Sequence, residues 1–339
     1  MSRKLRIVFL IFTFFTLITV LGIAVCPLFE RGGEPVRIVI RKGEGASQVV
    51  RTLVDSGVVS HPNVLMFWLK VTGRDRHIRA GVYEFRRRSG VVTVWWILSR
   101  GPNAKSIMVT IPEGLTLKQI AGIVARKIGN DSLRFVQLAT DRLFVMRMAQ
   151  KYGFPPPPSL EGYLFPDSYK FSYFEDESSI IDRMVGQLMA VLKREGLLYK
   201  MERKGLKLHT VLTLASIVER EAAVDSERPI IAAVFWNRLK RGMPLESCAT
   251  VEYVLPRHKT RLTYDDLRVQ SPYNTYLHPG LPPGPICSPG LKSIKAVVEP
   301  ANVPYLYFVA KGDGTHFFAS TYSQHVRNKA IAHRLRRKS

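Results

Sequence analysis

Val36-Arg37-Ile38-Val39-Ile40 alternates polar and apolar side chains with the two-residue period of a strand, and Gly43-Glu44-Gly45-Ala46-Ser47 then turns the chain. Gln48-Val49-Val50-Arg51-Thr52-Leu53-Val54 takes up the wider apolar spacing of a helix. The same unit recurs downstream. Ile107-Met108-Val109-Thr110-Ile111 reads as a strand, Pro112-Glu113-Gly114-Leu115-Thr116 as the turn, and Leu117-Lys118-Gln119-Ile120-Ala121 opens a helix. Setting Gly43 on Gly114 also sets Gln48 on Gln119 and Val49 on Ile120. Two copies are too few for a solenoid. With a helix over 63–71 and the strand Gly81-Val82-Tyr83-Glu84-Phe85 between them, they specify an α+β fold. Arg86-Arg87-Arg88 is a basic turn facing solvent.

Working outward toward the N-terminus, Glu30 to Pro35 is a linker, and residues 7–29 contain no charged side chain. That length matches the ~20 apolar residues that cross a bilayer. The basic flank Ser2-Arg3-Lys4-Leu5-Arg6 places residues 1–6 in the cytoplasm and the rest of the chain outside. A cleaved signal peptide ending near Gly22-Ile23-Ala24 is the competing reading, but signal cores usually run only ~7–15 residues.

Toward the C-terminus, a helical stretch from residue 131 leads into Pro155-Pro156-Pro157-Pro158, which cannot continue a helix and marks a change of domain. Beyond it the chain mixes helices over 177–195, 208–222 and 229–241 with short strands such as Tyr305-Leu306-Tyr307-Phe308-Val309. The expected organisation is therefore a domain over 36–130, a helical connector over 131–158, a mixed α/β domain over 159–333 and a basic tail over 334–339.

Fifty Lys and Arg against 27 Asp and Glu give a net charge of +23, a field that draws in polyanions of any kind. Nucleic acid is disfavoured: there is no recognisable reading motif, and the chain lies on the outer side of its membrane segment. The cysteines are Cys26, Cys248 and Cys287, and the last two could pair in an oxidising compartment. No Cys or His set has metal-site spacing, so neither metal nor cofactor is expected.

Chemistry concentrates in Val211-Leu212-Thr213-Leu214-Ala215-Ser216-Ile217-Val218-Glu219-Arg220-Glu221-Ala222-Ala223, apolar on most sides and therefore a buried helix. Thr213, Ser216 and Arg220 share one face, with Glu219 and Glu221 on opposite flanks, each roughly 90–110° away. Periodicity leaves open which carboxylate is inside. A carboxylic acid in an apolar wall has its pKa raised, as a general acid near neutral pH requires. The plainer reading is a helix-end glutamate paired with Arg220, Arg228 or Arg238.

Ala215-Ser216-Ile217-Val218-Glu219-Arg220-Glu221, with Ala232-Ala233-Val234-Phe235-Trp236-Asn237-Arg238-Leu239 after it, resembles the signature of the MltG (YceG-like) endolytic murein transglycosylase family. So do Leu160-Glu161-Gly162-Tyr163-Leu164-Phe165-Pro166-Asp167-Ser168-Tyr169, Ser271-Pro272-Tyr273-Asn274-Thr275-Tyr276, Gly280-Leu281-Pro282-Pro283-Gly284-Pro285-Ile286 and Tyr305-Leu306-Tyr307-Phe308-Val309-Ala310. The resemblance implies an N-terminal transmembrane helix, a LysM-like α+β domain and a mixed α/β catalytic domain. The two strand-turn-helix copies by themselves fit either a LysM-like carbohydrate-binding fold or a small domain that uses one turn twice. It further implies cleavage of the β-1,4 bond between N-acetylmuramic acid and N-acetylglucosamine in nascent peptidoglycan, with 1,6-anhydromuramyl ends that limit strand elongation. Glu219 is the implied catalytic acid, and the implied location is the outer face of the inner membrane beside penicillin-binding synthases.

Tyr273, Asn274, Thr275 and Tyr276 suit the orientation of a sugar, since amides and hydroxyls bond its polar groups and aromatic faces cover its ring. Asn237 and His316 are further candidates for lining the cleft, and Glu161 is the second-best carboxylate. One departure stands out: relatives commonly read Asp-Pro-Thr-Val where this chain has Cys248-Ala249-Thr250-Val251. The rival to an enzyme is an anchored protein that binds or scaffolds the wall without turnover.

Overall fold

The computed structural model describes residues 33–41, 43–103, 106–257, 259 and 262–336. The expected tail over 1–6, membrane segment over 7–29, the first half of the linker and the end of the basic tail lie outside the described residues. Among the described residues no helix is long and apolar enough to cross a membrane. The fold is α+β and divides into two compact units: residues up to 107 with 172–174, and residues 108–171 with 175–339.

In the smaller unit, β1 (Pro35–Ile40) and β2 (Gly81–Arg86) are antiparallel, with Ile38 opposite Tyr83 and Val36 opposite Phe85. The strand period turns Ile38 and Ile40 inward, where α1 (Ala46–Asp55), α2 (Pro62–Val71) and α3 (Val91–Arg100) close over them. Val49, Val50 and Leu53 of α1, Leu65 and Leu69 of α2, and Val91, Val94 and Leu98 of α3 complete one core with Tyr83 and Phe85. Each aliphatic or aromatic side chain buried in this way stabilises by about 1.5–3 kcal/mol. The unit thus has a hydrophobic core of its own.

The larger unit, from Met108 on, opens with the strand β3 (Ile107–Thr110), which pairs with β4 (Ser168–Phe171). Thr110 Oγ1 and Ser168 Oγ are 2.7 Å apart, and the Ile111 N–H donates to the Asp167 carbonyl at 2.9 Å. Next come α4 (Leu117–Ile128), α5 (Ser132–Thr140) and α6 (Arg142–Tyr152). Thr116 and Gln119 form a reciprocal capping box at the start of α4, and Gly129 ends it in the left-handed region. Asp131 and Asp141 cap α5 and α6 through their carboxylates.

This pairing moves the boundary expected at residue 130. The turns at Gly43 and Gly114 are alike in having positive φ, 91° and 76°, but the repeat is local. The strand partner of the second copy is β4, and its helix buries Leu117, Ile120, Val124 and Ile128 in the larger unit. Nor does the tetraproline separate domains. Phe154 and Pro157 on its course are buried, and just past it the Leu160 N–H donates to the Ala139 carbonyl at the end of α5.

The helices α7 (Glu177–Arg194), α8 (Leu197–Arg203), α9 (Leu208–Glu221) and α10 (Arg228–Lys240) follow, then the short α11 (Cys248–Val254) and α12 (Leu291–Val298). The helix α9 packs on α10 and α12 and is buried continuously from Val211 to Val218. The antiparallel hairpin of β5 (Tyr307–Ala310) and β6 (His316–Ala319) sets Ala310 opposite His316, and α13 (Tyr322–Arg336) packs over it.

The block 160–169 has a structural explanation. Gly162 sits at φ +79°, and a Cβ there would meet Pro285 at 2.3 Å, so only glycine allows the 285–287 segment to lie against it. The buried Glu161 carboxylate accepts the Leu117 N–H at 2.9 Å, capping α4, and a hydrogen bond from the Tyr253 hydroxyl at 3.3 Å. Burial outweighs both hydrogen bonds and raises its pKa from 4.5 to about 7. Between those values the folded chain holds a proton that the unfolded chain has released, so stability falls as pH rises through this range, by on the order of 3 kcal/mol. Glu161→Gln keeps an acceptor and adds no charge. Chemical denaturation at pH values spanning the range should show that it flattens this part of the stability profile, and an unchanged slope would refute the assignment.

Candidate active site

The core of the larger unit fixes α9 before any catalytic group is considered. Ser216 Oγ donates to the Thr213 carbonyl at 2.7 Å and accepts the Ile286 N–H at 2.9 Å. The buried Cys287 thiol donates to the Ser216 carbonyl at 3.4 Å. The 284–287 block is thereby held along the helix. Cys248 and Cys287 are both free thiols.

Glu219 follows this buried face, and its side chain is only 6 % exposed. Its Oε1 accepts Arg228 Nη1 at 3.0 Å, and its Oε2 accepts the Gly290 N–H at 2.9 Å. Arg228, itself buried, also donates from Nη1 to Ser293 Oγ and from Nε to Asp225 at 3.1 Å. The turn of the second sequence copy closes over the pair: Gly114 lies against Glu219 Cγ, and a Cβ on Gly290 would meet the Glu113 carboxyl at 1.9 Å. Burial and then the Glu219 charge push the Glu113 carboxyl above its usual range, with Arg228 and Lys292 opposing. Glu219 is the centre of an ion-pair network that ties α9, α10 and α12 together.

Glu221, the last residue of α9, lies elsewhere. It lines a cleft of about 400 Å³ with Cys248, Tyr276, Tyr307 and His316, walled by the β5–β6 hairpin and the start of α11. Its carboxylate accepts hydrogen bonds from Ser247 Oγ and from the Ala249 N–H. Desolvation by burial dominates, and the carboxyl is pushed above its usual range. The other cleft carboxylate, Glu246, is paired with Arg238 Nη1 at 3.0 Å. Arg238 also donates to the carbonyls of Pro244, Leu245 and Leu306, which holds the loop before α11 against the hairpin.

The remaining candidates separate in the same way. Tyr276 lines the cleft with its hydroxyl 3.1 Å from Cys248 Sγ, and burial raises the pKa of both groups. His316 lines it too, with Nδ1 2.7 Å from Glu227 Oε2 and its backbone N–H donating to Glu227 Oε1. Asn274 does not reach it: its Nδ2 donates to the carbonyls of Leu267 and Val269, and its Oδ1 accepts the Tyr276 N–H. Every polar atom of that buried amide is spent on shaping the turn that presents Tyr276. Thr275 is likewise buried, accepting the Ser247 N–H and sharing a hydrogen bond with Thr250, so it positions the loop that contacts Glu221. Tyr273 packs on Tyr253 with ring centroids 5.0 Å apart. Asn237 donates to the Val303 and Tyr305 carbonyls and lines a separate groove beside Trp236.

This arrangement lies within a span that matches the model of the YceG-like family over residues 38–331. The chain belongs to the YceG-like family. An endolytic murein transglycosylase of Bacillus subtilis (strain 168) is 33 % identical over 318 residues, which cover 90 % of this chain and 86 % of that protein. One from Streptococcus pneumoniae is 31 % identical over 332 residues. There too 90 % of this chain is matched, but it spans only 59 % of the pneumococcal protein. A crystal structure of a YceG-like protein from Listeria monocytogenes superposes with a TM-score of 0.62 at 31 % identity, covering 87 % of this chain and 98 % of that one.

The family resemblance implies Glu219 as the acid and periodicity alone leaves Glu221 as its equal, whereas neither points to Cys248 as a cleft residue or Tyr307 as its wall. The substitution of Cys248 for the customary aspartate was the available signal, since it falls at the mouth of the short helix whose N–H group bonds Glu221.

Proposed function

We infer that this YceG-like chain is a lytic transglycosylase acting on peptidoglycan, and that Glu221 is its acid and base. The observation that carries the assignment within the site is geometric: Glu221, at the end of a buried helix, opens into the cleft beside Tyr276, Tyr307 and His316, and burial raises its pKa in keeping with that role. Glycosidases that use water as nucleophile need a second carboxylate. In this cleft Glu246 is held by Arg238, and one free carboxyl suffices when the substrate supplies its own nucleophile. Glu221 protonates the oxygen of the β-1,4 bond between N-acetylmuramic acid and N-acetylglucosamine. The resulting carboxylate takes the proton from the muramyl C6 hydroxyl as that oxygen attacks C1, leaving a 1,6-anhydro ring. Intramolecular attack requires the sugar to be held in position and water kept out. Tyr276, Tyr307 and His316 surround Glu221 and suit that task.

Incubating the protein with murein tests the reading directly: new 1,6-anhydromuramyl ends are expected. Reducing muramyl ends would mean hydrolysis, and no new ends would mean a wall-binding protein without turnover. The uncharged run 7–29 and its basic flank support an anchor in the inner membrane with both units outside, where cuts in nascent strands would limit their elongation beside penicillin-binding synthases. The smaller unit fits a LysM-like role toward the same wall.

Cys248 offers a probe of the cleft. The residue is exposed, yet partial desolvation of its thiol raises the pKa, so alkylation should be slow at neutral pH and faster in alkali. Treatment with a bulky maleimide at alkaline pH should modify Cys248, spare the buried Cys287 and block activity. Cys248→Ala should resist the treatment, and an active, fully modified wild-type protein would place the glycan elsewhere.

A further inference from the structure

The smaller unit carries an aromatic surface that neither its core nor the cleft accounts for. On α2, Phe67 is 64 % and Val71 68 % exposed, with Trp68 beside them at 37 %; on α3, Trp96 is 48 % exposed. The two helices pack together. The Trp68 and Trp95 rings meet at their junction with centroids 6.3 Å apart, and the Trp95 indole N–H donates to Thr72 Oγ1 at 2.9 Å. The Arg100 guanidinium lies 3.8 Å from the centroid of the Trp96 ring. Lys70, Arg74 and Arg76 are exposed at the end of α2 and just beyond it.

We propose that this face of α2 and α3 lies in the headgroup region of an anionic lipid bilayer and seats the smaller unit on the membrane. Tryptophan and phenylalanine beside an arginine- and lysine-bearing rim have the amphipathic chemistry of a membrane interface, and the cations complement acidic headgroups. The chain preceding the unit supplies the second argument. The uncharged run ends at Phe29, and β1 starts at Pro35. The residues between span at most about 20 Å when fully extended. A bilayer holding that run therefore stays within about 20 Å of the start of β1, and a contact made by the tethered unit is favoured over one made by a free protein because it is intramolecular. A sugar ligand fits the face less well. Phe67 and Val71 offer no hydrogen-bonding group, and the Trp95 N–H is already used within the protein.

The inference rests on the reading of 7–29 as a membrane anchor, and the experiment separates the two. The full chain, carrying Trp236→Phe to remove the one tryptophan outside this unit, is reconstituted into vesicles of anionic and zwitterionic lipids with bromine on the upper acyl chain. Emission is compared with that in unbrominated vesicles. Quenching, with a blue shift relative to detergent, is expected, and it should be lost in Phe67→Glu/Trp96→Glu, whose substituted side chains are exposed and whose thermal unfolding should be unchanged. A chain that floats with the vesicles but is not quenched overturns the proposal and leaves the anchor standing. A chain that does not float overturns both. Quenching that persists in the double variant, or a blue shift produced by soluble glycan in place of lipid, also overturns it.

Discussion

Replacing Glu221 with Gln is expected to lower the rate of 1,6-anhydromuramyl formation by at least about a thousandfold, the upper part of the range for a positioned proton donor that must also act as base. The fold should survive. The amide oxygen accepts the Ala249 N–H while the Ser247 hydroxyl, unlike the donor-only partners of Glu219, turns to accept from the amide nitrogen, and no ion pair among the described residues involves Glu221. Glu219→Gln should behave in the opposite way. It leaves the Gly290 N–H or the Arg228 guanidinium poorly matched in a buried site, at a cost of about 1–3 kcal/mol, while the folded fraction retains its activity. The pH profile gives a second readout. Burial raises the Glu221 pKa, so its proton-donating form persists to higher pH than an ordinary glutamate allows, and activity falls as pH rises through that pKa. Glu219→Gln should leave the position of this alkaline limb unchanged. If Glu219→Gln proved inactive but folded and Glu221→Gln active, the roles assigned here would be reversed.

The comparison of these two glutamates shows what could be read in advance. Apolar periodicity placed the helices over 208–222 and 229–241 within a residue of α9 and α10, because a helix buried on most faces writes its period into adjacent residues. The same period set Glu219 and Glu221 on two flanks and could go no further. What distinguishes them comes from other segments: Arg228 beyond the helix and Gly290 on one flank, and Ser247 with the start of α11 on the other. Arg228 was among the partners considered, but sequence could not say which glutamate it would take. Asn274 and Thr275 illustrate the converse difficulty. A polar, aromatic turn looks like a sugar site, yet the amide and hydroxyl are consumed in building the turn, and only Tyr276 projects into the cleft. The domain boundary was misplaced for a related reason. The Gly43 and Gly114 turns are alike locally, but the strand partner of the second lies after the tetraproline.

Arg228→Ala should be the most destabilising single change in the larger unit's polar network. Its guanidinium contacts Glu219, Ser293 and Asp225 and opposes the raised pKa of Glu113, so its removal leaves one carboxylate buried with only the Gly290 N–H and another close by. Breaking one side of a buried pair costs about 3–5 kcal/mol, because the remaining charge keeps its desolvation penalty without its partner. For a unit of this size that corresponds to a fall in Tm of roughly 10 °C. Replacing both partners removes the orphaned charge, so Glu219→Gln/Arg228→Met should recover a large part of the loss, and the double-mutant cycle isolates the coupling. Such recovery would also show that the pair is structural, since a catalytic acid could not be restored by deleting it. The double variant should therefore regain activity along with stability, with Glu221 untouched. An Arg228→Ala protein that unfolds at the wild-type midpoint, or a double variant that regains its stability but stays inactive, would return the catalytic role to Glu219.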